Sequence, residues 1–224
     1  MFAATLITLV PEAFPGPLGV SILERAREKG LWSLETIDLR TFGVGKHRNV
    51  DDTPAGGGAG MVIRPDVAAS AIDSIPRDGR PLVYLSPRGK PFNQEKAREW
   101  AAGPGLVLFC GRFEGLDERV IEGREMEEVS LGDFVLAGGE VAAMAFIEAV
   151  VRLLPGVAGN EASLMEESFE HGLLEHAQYT MPREWEGRPT PDVLLSGDHK
   201  RIEEWRKNSA KTLTKHRRPD LYAA

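Results

Sequence analysis

The sequence predicts an α/β fold, a mostly parallel sheet flanked by helices over about the first 155 residues, with a small helical domain behind it. Three observations predict it. Short runs rich in Val, Leu and Ile, bounded by Pro, Gly or polar residues, alternate with stretches of helical period. That alternation stops at Pro155–Ser168 (PGVAGNEASLMEES), which has no apolar period. Further on, Asp198 opens a basic segment that carries Ile202 and Trp205 on one helical face. The domains are therefore set at residues 1–158 and 172–224, with 159–171 as the linker.

Element by element, Ala4–Val10 reads as the first buried strand and Leu34–Leu39 as the second, although Glu35 and Asp38 interrupt it. Leu82–Ser86, Leu106–Cys110 and Met126–Leu131 follow as strands. Helical patterns run over Pro17–Lys29, Pro65–Ile75, Gln94–Ala101 and Asp117–Glu122, with a long one from Gly139 to Leu153. Gly172–Leu195 reads as a loop, because Pro182, Pro189 and Pro191 punctuate it.

Composition excludes several classes. Cys110 is the single cysteine of 224 residues, so neither an internal disulfide nor a multi-cysteine metal site is available, and a reducing compartment is expected. The longest apolar stretch, Val141–Leu154, is broken by Glu148 and Arg152. It falls short of the roughly 18 residues a membrane helix needs, so no span is expected. The N-terminal apolar run has no basic residue ahead of it and meets Pro11 and Glu12, which suits a strand rather than a signal peptide. A cytoplasmic protein is expected. The net charge of −7 hides an asymmetry: Asp198–Arg218 holds eight Lys and Arg against three acids, so the remainder carries −12. The basic end fits either a solvated helix face or contact with RNA, and the excess favours RNA.

The glycine-rich loops decide what kind of ligand is open. Neither Gly45-Lys46 nor Gly89-Lys90 has a glycine five residues before it or a Ser/Thr after it, so no P-loop is present. Gly43-Val44-Gly45, Gly58-Ala59-Gly60 and Gly103-Pro104-Gly105 lack the third glycine of a dinucleotide fingerprint. What remains is YLSPRG (84–89), CGRFEG (110–115) and SLGDFVLAGGE (130–140), each at a strand end. Two readings fit these loops: a backbone-lined small-molecule pocket, or tight turns alone. Asp51 and Asp52 fit either a Mg²⁺ site or a turn before Pro54. His171 and His176 are off the i, i+4 spacing of paired ligands, and no zinc is expected. Cys110 reads as a packed thiol, Trp205 as core, and Asp117-Glu118 as a helix start.

KHRNVDD (46–52), GGGAGM (56–61), YLSPRG, CGRFEGLDER, SLGDFVLAGGE and ESFEHGLLEHAQYT (167–180), in this order and spacing, closely resemble the bacterial tRNA (guanine-N1)-methyltransferase (TrmD) family. The resemblance runs from Leu6 to about Arg218. It implies a SPOUT fold with a deep trefoil knot, a homodimer with sites between subunits, and methyl transfer from S-adenosyl-L-methionine. The acceptor it implies is N1 of the guanosine immediately 3′ of the tRNA anticodon, position 37, giving 1-methylguanosine. By position, the donor would lie on Tyr84, Leu85, Ser86 and Pro87 of the first loop and Gly111 of the second. The third loop would contribute Leu131, Gly132, Asp133, Phe134, Val135, Leu136, Gly138 and Gly139. The tRNA anticodon stem-loop would meet Glu114, Asp51, Gly57, Gly58, Arg183 and Lys207, and no membrane partner is implied. Mg²⁺ stays open as a second cofactor.

Arg152 and Glu167 are the catalytic candidates that the resemblance implies, the latter contributed by the other subunit. The family's base is usually an aspartate directly before Ser-Phe, where this chain has Glu167, and Met181 stands where an arginine is usual. Arg183 is the nearest cation that could replace it. The chemistry asks for these groups. A sulfonium methyl is already activated, so alignment and exclusion of water dominate. N1 of guanine carries a proton at neutral pH and needs a base within about 3 Å. Charge moving onto O6 needs a cation, and Arg152 fits that role. On residues alone, the default for Glu167 is a solvated linker carboxylate, and Arg152 reads as well as a helix-end arginine whose stem covers apolar surface.

Overall fold

The computed structural model describes residues 1–159, 167–169 and 172–222. The chain divides into two compact units, residues 1–159 and 160–224. Most of the expected linker, including Glu166, Glu170 and His171, lies outside the described residues.

The first unit is an α/β layer structure. Its five-stranded sheet has the order β2-β1-β6-β5-β7, formed by β1 (Phe2–Thr8), β2 (Trp32–Asp38), β5 (Leu82–Pro91), β6 (Gly105–Cys110) and β7 (Glu127–Ser130). Every pairing in it is parallel. A short antiparallel pair, β3 (Asp51–Asp52) with β4 (Val62–Ile63), stands apart from it. Parallel strands require crossovers, and the helices in these are α1 (Ser21–Glu28), α2 (Pro65–Asp73), α3 (Gln94–Ala101) and α4 (Glu118–Gly123); α5 (Glu140–Val151) follows the last strand and packs back on the sheet.

Because side chains alternate along a strand, both sheet faces bury apolar groups. On β6, Leu106, Leu108 and Cys110 join a core with Trp100, Phe146 and Ile147, while Val107 and Phe109 join a second core with Val67 and Ile121. All six β6 residues are buried, which is why this central strand reads as a continuous hydrophobic run. β2 sits at the sheet edge; of the charges that interrupt its pattern, Glu35 is exposed, and the half-buried Asp38 ends the strand with its carboxylate accepting from the Arg40 N–H. α5 is apolar nearly all round, with seven buried residues among its twelve. Phe146 stacks on Phe92 at 4.3 Å and meets Trp100 at 6.0 Å between ring centroids.

The structure corrects two expectations. β5 does not stop at Ser86: the chain leaves the sheet after Leu85 and rejoins the same neighbour at Lys90, with both residues opposite Val129. Gly89 makes the return possible, since a Cβ there would sit 2.4 Å from the Val129 nitrogen. Within residues 172–195 the loop holds a small hairpin, β8 (Glu184–Trp185) with β9 (Arg188–Pro189), and the short helix α6 (Asp192–Leu195). Two-residue strands carry no readable period, so the prolines dominated the pattern.

In the second unit, α7 (His199–Arg217) is capped by Asp198, whose carboxylate accepts from the Arg201 N–H. The strand-free segment 174–180 is tied to α7 by side chains rather than by a ladder. The Leu174 N–H donates to Thr214 Oγ1 at 2.9 Å and the Ala177 N–H to Ser209 Oγ at 3.1 Å. Trp205 is half-buried between the edges of His176 and Tyr179, a packing role with one side still accessible. A last turn, α8 (Pro219–Tyr222), follows. No helix among the described residues is long and apolar enough to cross a membrane.

Candidate active site

A cavity of about 290 Å³ opens beyond the carboxyl ends of β5, β6 and β7, where the three glycine-bearing loops converge. Open parallel sheets take ligands at this end of their strands. Of the residues placed on the donor from the sequence, Tyr84, Leu85, Ser86, Pro87 and Gly111 line it. So do Leu131, Gly132, Phe134, Val135, Leu136, Gly138 and Gly139. Asp133 does not: it is exposed and absent from the lining. Glu114 lines the rim.

The loops have glycine where a side chain would collide. A Cβ on Gly139 would lie 2.8 Å from Cys110 Cα, and one on Gly111 would press on the Tyr84 ring at 3.0 Å. The Gly139 N–H donates to the Gly111 carbonyl at 2.9 Å, which joins the second loop to the third. Ser130 Oγ accepts from the Gly132 N–H and donates to its carbonyl, closing the start of the third loop on itself. Burial pushes the Tyr84 phenol above its ordinary value, so it stays protonated at the cavity wall. Arg88 leans across the first loop onto Glu118 and Glu128, at 3.0 Å each, and these carboxylates hold its guanidinium charged.

Sequence reasoning gave Arg112 and Glu140 no role. Arg112 lines the cavity, and its Nη2 lies 2.9 Å from Oε2 of the buried Glu140. Thr8 Oγ1 donates to the other carboxylate oxygen at 2.7 Å. The signal was the glutamate that follows two glycines at a helix start, which reads as ordinary N-terminal charge placement until its burial is seen.

The expected tRNA contacts partly converge. The Glu114 N–H donates to the Met61 carbonyl, and a Cβ on Gly60 would strike the Glu114 side chain. The GGGAGM segment therefore runs past the cavity rim. Gly57 and Gly58 sit exposed at positive φ with open space around them. Asp51 is half-buried in β3. Asp52 is engaged by the Arg64 guanidinium at 3.3 Å and by the Thr53 N–H, and both aspartates are strand residues of β3 rather than turn residues. Arg183 and Lys207 belong to the second unit, where both are exposed and Lys207 pairs with Glu203.

Arg152 is not brought to this cavity. It caps the C-terminal end of α5, while Gly139 caps the N-terminal end at the cavity, and twelve helical residues separate them by about 18 Å. Glu167 is half-buried in the second unit. Burial also pushes the Cys110 thiol up, with the Glu140 carboxylate adding to the effect, so this cysteine stays a protonated core thiol behind the cavity loops.

A tRNA (guanine-1)-methyltransferase TrmD family model matches residues 2–224. The chain is 60% identical over 224 residues to the tRNA (guanine-N(1)-)-methyltransferase of Caulobacter vibrioides, covering 100% of this chain and 91% of the relative. It is 61% identical over 225 residues to the protein of the same name from Mesorhizobium japonicum, covering 100% and 97%. The corresponding protein of Cereibacter sphaeroides is 61% identical over 227 residues, covering 99% and 91%.

Proposed function

The chain belongs to the tRNA (guanine-1)-methyltransferase TrmD family, and from that premise we propose that it methylates N1 of the guanosine immediately 3′ of the tRNA anticodon, with S-adenosyl-L-methionine as donor. The cavity is the observation that carries this reading. Its loops pack so closely on one another that a Cβ on Gly111, Gly138 or Gly139 would collide with protein atoms, which leaves bare backbone at the cavity wall, and a flat nucleoside flanked by polar groups suits such walls. The donor supplies an activated methyl group on a positively charged sulfur. Tyr84, Leu85 and the Gly138-Gly139 backbone hold it, and Phe134 and Leu136 exclude water from one side.

The target guanine edge must be unpaired, and an anticodon loop meets that need at small cost. We assign Glu114 and the GGGAGM segment to the base, a reading supported by their contact with one another beside the cavity. The N1 proton goes to a carboxylate, for which we assign Glu167, and the growing charge on O6 is met by Arg152. Because Arg152 stands a helix length from its own chain's cavity, we assign both groups to the partner subunit of a homodimer. Exposed Phe134, Val135 and Val141 around the cavity and the start of α5 support such an interface. The β5 excursion supports the SPOUT knot, which we propose for these loops. The basic α7 would hold RNA phosphates, in a cytoplasmic enzyme.

The test supplies labelled S-adenosyl-L-methionine and two tRNA transcripts that differ only by guanosine or adenosine 3′ of the anticodon, read by nucleoside mass spectrometry. 1-Methylguanosine from the first transcript alone is expected. Bound but unmethylated tRNA in both cases would favour an RNA-binding protein without activity.

A further inference from the structure

Glu140 is a buried carboxylate, with 5% of its side chain exposed. Removing a carboxylate from water is costly unless the surroundings compensate it, so such a group has a specific partner to satisfy. Three compensations converge here. Thr8, at the end of β1, donates to Oε1 at 2.7 Å. Arg112 meets the same oxygen from Nε at 3.3 Å and reaches Oε2 as an ion pair at 2.9 Å. Glu140 also lies in the first turn of α5, where the helix dipole favours a negative charge.

The geometry shows what this arrangement controls. Arg112 belongs to the second cavity loop, yet its Nη1 points to the Ala137 carbonyl of the third at 3.4 Å. A Cβ on Gly138 would lie 2.3 Å from Arg112 Nε and 2.5 Å from Glu140 Oε2, so the third loop is laid directly on the ion pair. The side chain of Arg112 remains 29% exposed and forms part of the cavity wall. A permanent cation in that wall would repel a cationic ligand.

We propose that Glu140, oriented by Thr8, is a positioning residue that both fixes Arg112 between two loops of the cavity and cancels its charge, so that the cavity accepts a cationic sulfonium donor. The inference rests on the methyltransferase reading above. Methyl transfer breaks the carbon–sulfur bond, leaves the electron pair on sulfur and turns the cation into a neutral thioether. Donor and product therefore differ by one positive charge on nearly the same shape. Compensation at Arg112 matters to the first and hardly to the second.

Calorimetric titration of the full-length protein with S-adenosyl-L-methionine and with S-adenosyl-L-homocysteine separates charge from shape. Glu140→Gln keeps the size and most hydrogen bonds but leaves Arg112 uncompensated. It should weaken donor binding by about fivefold or more and product binding by less than about twofold. The neutral double variant Arg112→Gln/Glu140→Gln should return the donor-to-product ratio to that of the unaltered protein. If Glu140→Gln does not fold, Arg112→Gln measured at pH 8 carries the test with opposite sign, favouring donor over product. Equal losses on both ligands, or a ratio that does not move in either variant, would overturn the proposal and leave Glu140 a structural residue only. If the unaltered protein bound neither ligand, the methyltransferase reading itself would fall.

Discussion

At the residue scale, the predictions separate binding from chemistry. Glu167→Gln removes the assigned base without touching the cavity, so turnover should be lost while calorimetric donor affinity stays within about twofold of the unaltered protein. Full activity in that variant would move the base to another carboxylate. Gly138→Ala does the reverse. Its Cβ would enter the Arg112–Glu140 pair at 2.3–2.5 Å, so donor affinity should fall by more than about tenfold, seen in the same titration. The positions of the three cavity loops were legible because glycine, proline and serine at strand ends leave a local signature, although that signature alone fits tight turns as well as a pocket. Glu140 was not, since a glutamate at a helix start has the same sequence appearance whether it faces solvent or the core. Arg152 is a different case: its motif position implies proximity to the reacting groups, and the length of α5 sets it about 18 Å from its own chain's cavity, which is why we assign it to the partner subunit's site.

At the level of elements, the helix and strand pattern of the first unit was readable because buried parallel strands and amphipathic crossovers differ in period. The β5 excursion was not readable, because Ser86–Gly89 looks like a strand end and only the pairing with Val129 shows that the chain returns. Two elements give testable energies. Phe146 fills the space between α5 and α3 against Phe92 and Trp100, so Phe146→Ala should cost about 3–5 kcal/mol in urea unfolding. Asp117 caps α4 through the Arg119 N–H, and loss of the cap in Asp117→Ala should cost about 1 kcal/mol at pH 7. The hydrogen bonds from the Arg119 side chain, and then its backbone, hold the Asp117 carboxyl below its ordinary range. A carboxyl lowered by folding stabilises above its unfolded value, and that contribution is lost as pH falls through the lowered folded value. The gap between native and Asp117→Ala should therefore close in acid, and Asp117→Asn, which keeps the acceptor, should show much less pH dependence.

At the scale of the whole molecule, charge is divided between an acidic body and a basic end, and the two should respond differently to salt. The logarithm of the tRNA association constant should fall steeply with the logarithm of salt concentration. Replacing exposed Lys211 and Lys215 with alanine should flatten that slope by about 0.7–0.9 for each phosphate contact removed, with donor affinity unchanged. The assignment of base and cavity to different chains can be tested by complementation. Glu167→Gln subunits keep the cavity and lack the base; Gly138→Ala subunits keep the base and lack the cavity. Either homodimer should be inactive. Coexpressed in equal amounts and freely paired, half the dimers would be mixed, and each mixed dimer would join one intact cavity to one intact base. About a quarter of the full activity per site should then return. If cavity and base belonged to the same chain, no pairing of these two variants could restore a site. Activity of the mixed preparation, measured as 1-methylguanosine formed against each homodimer alone, therefore decides where the two halves of the site come from.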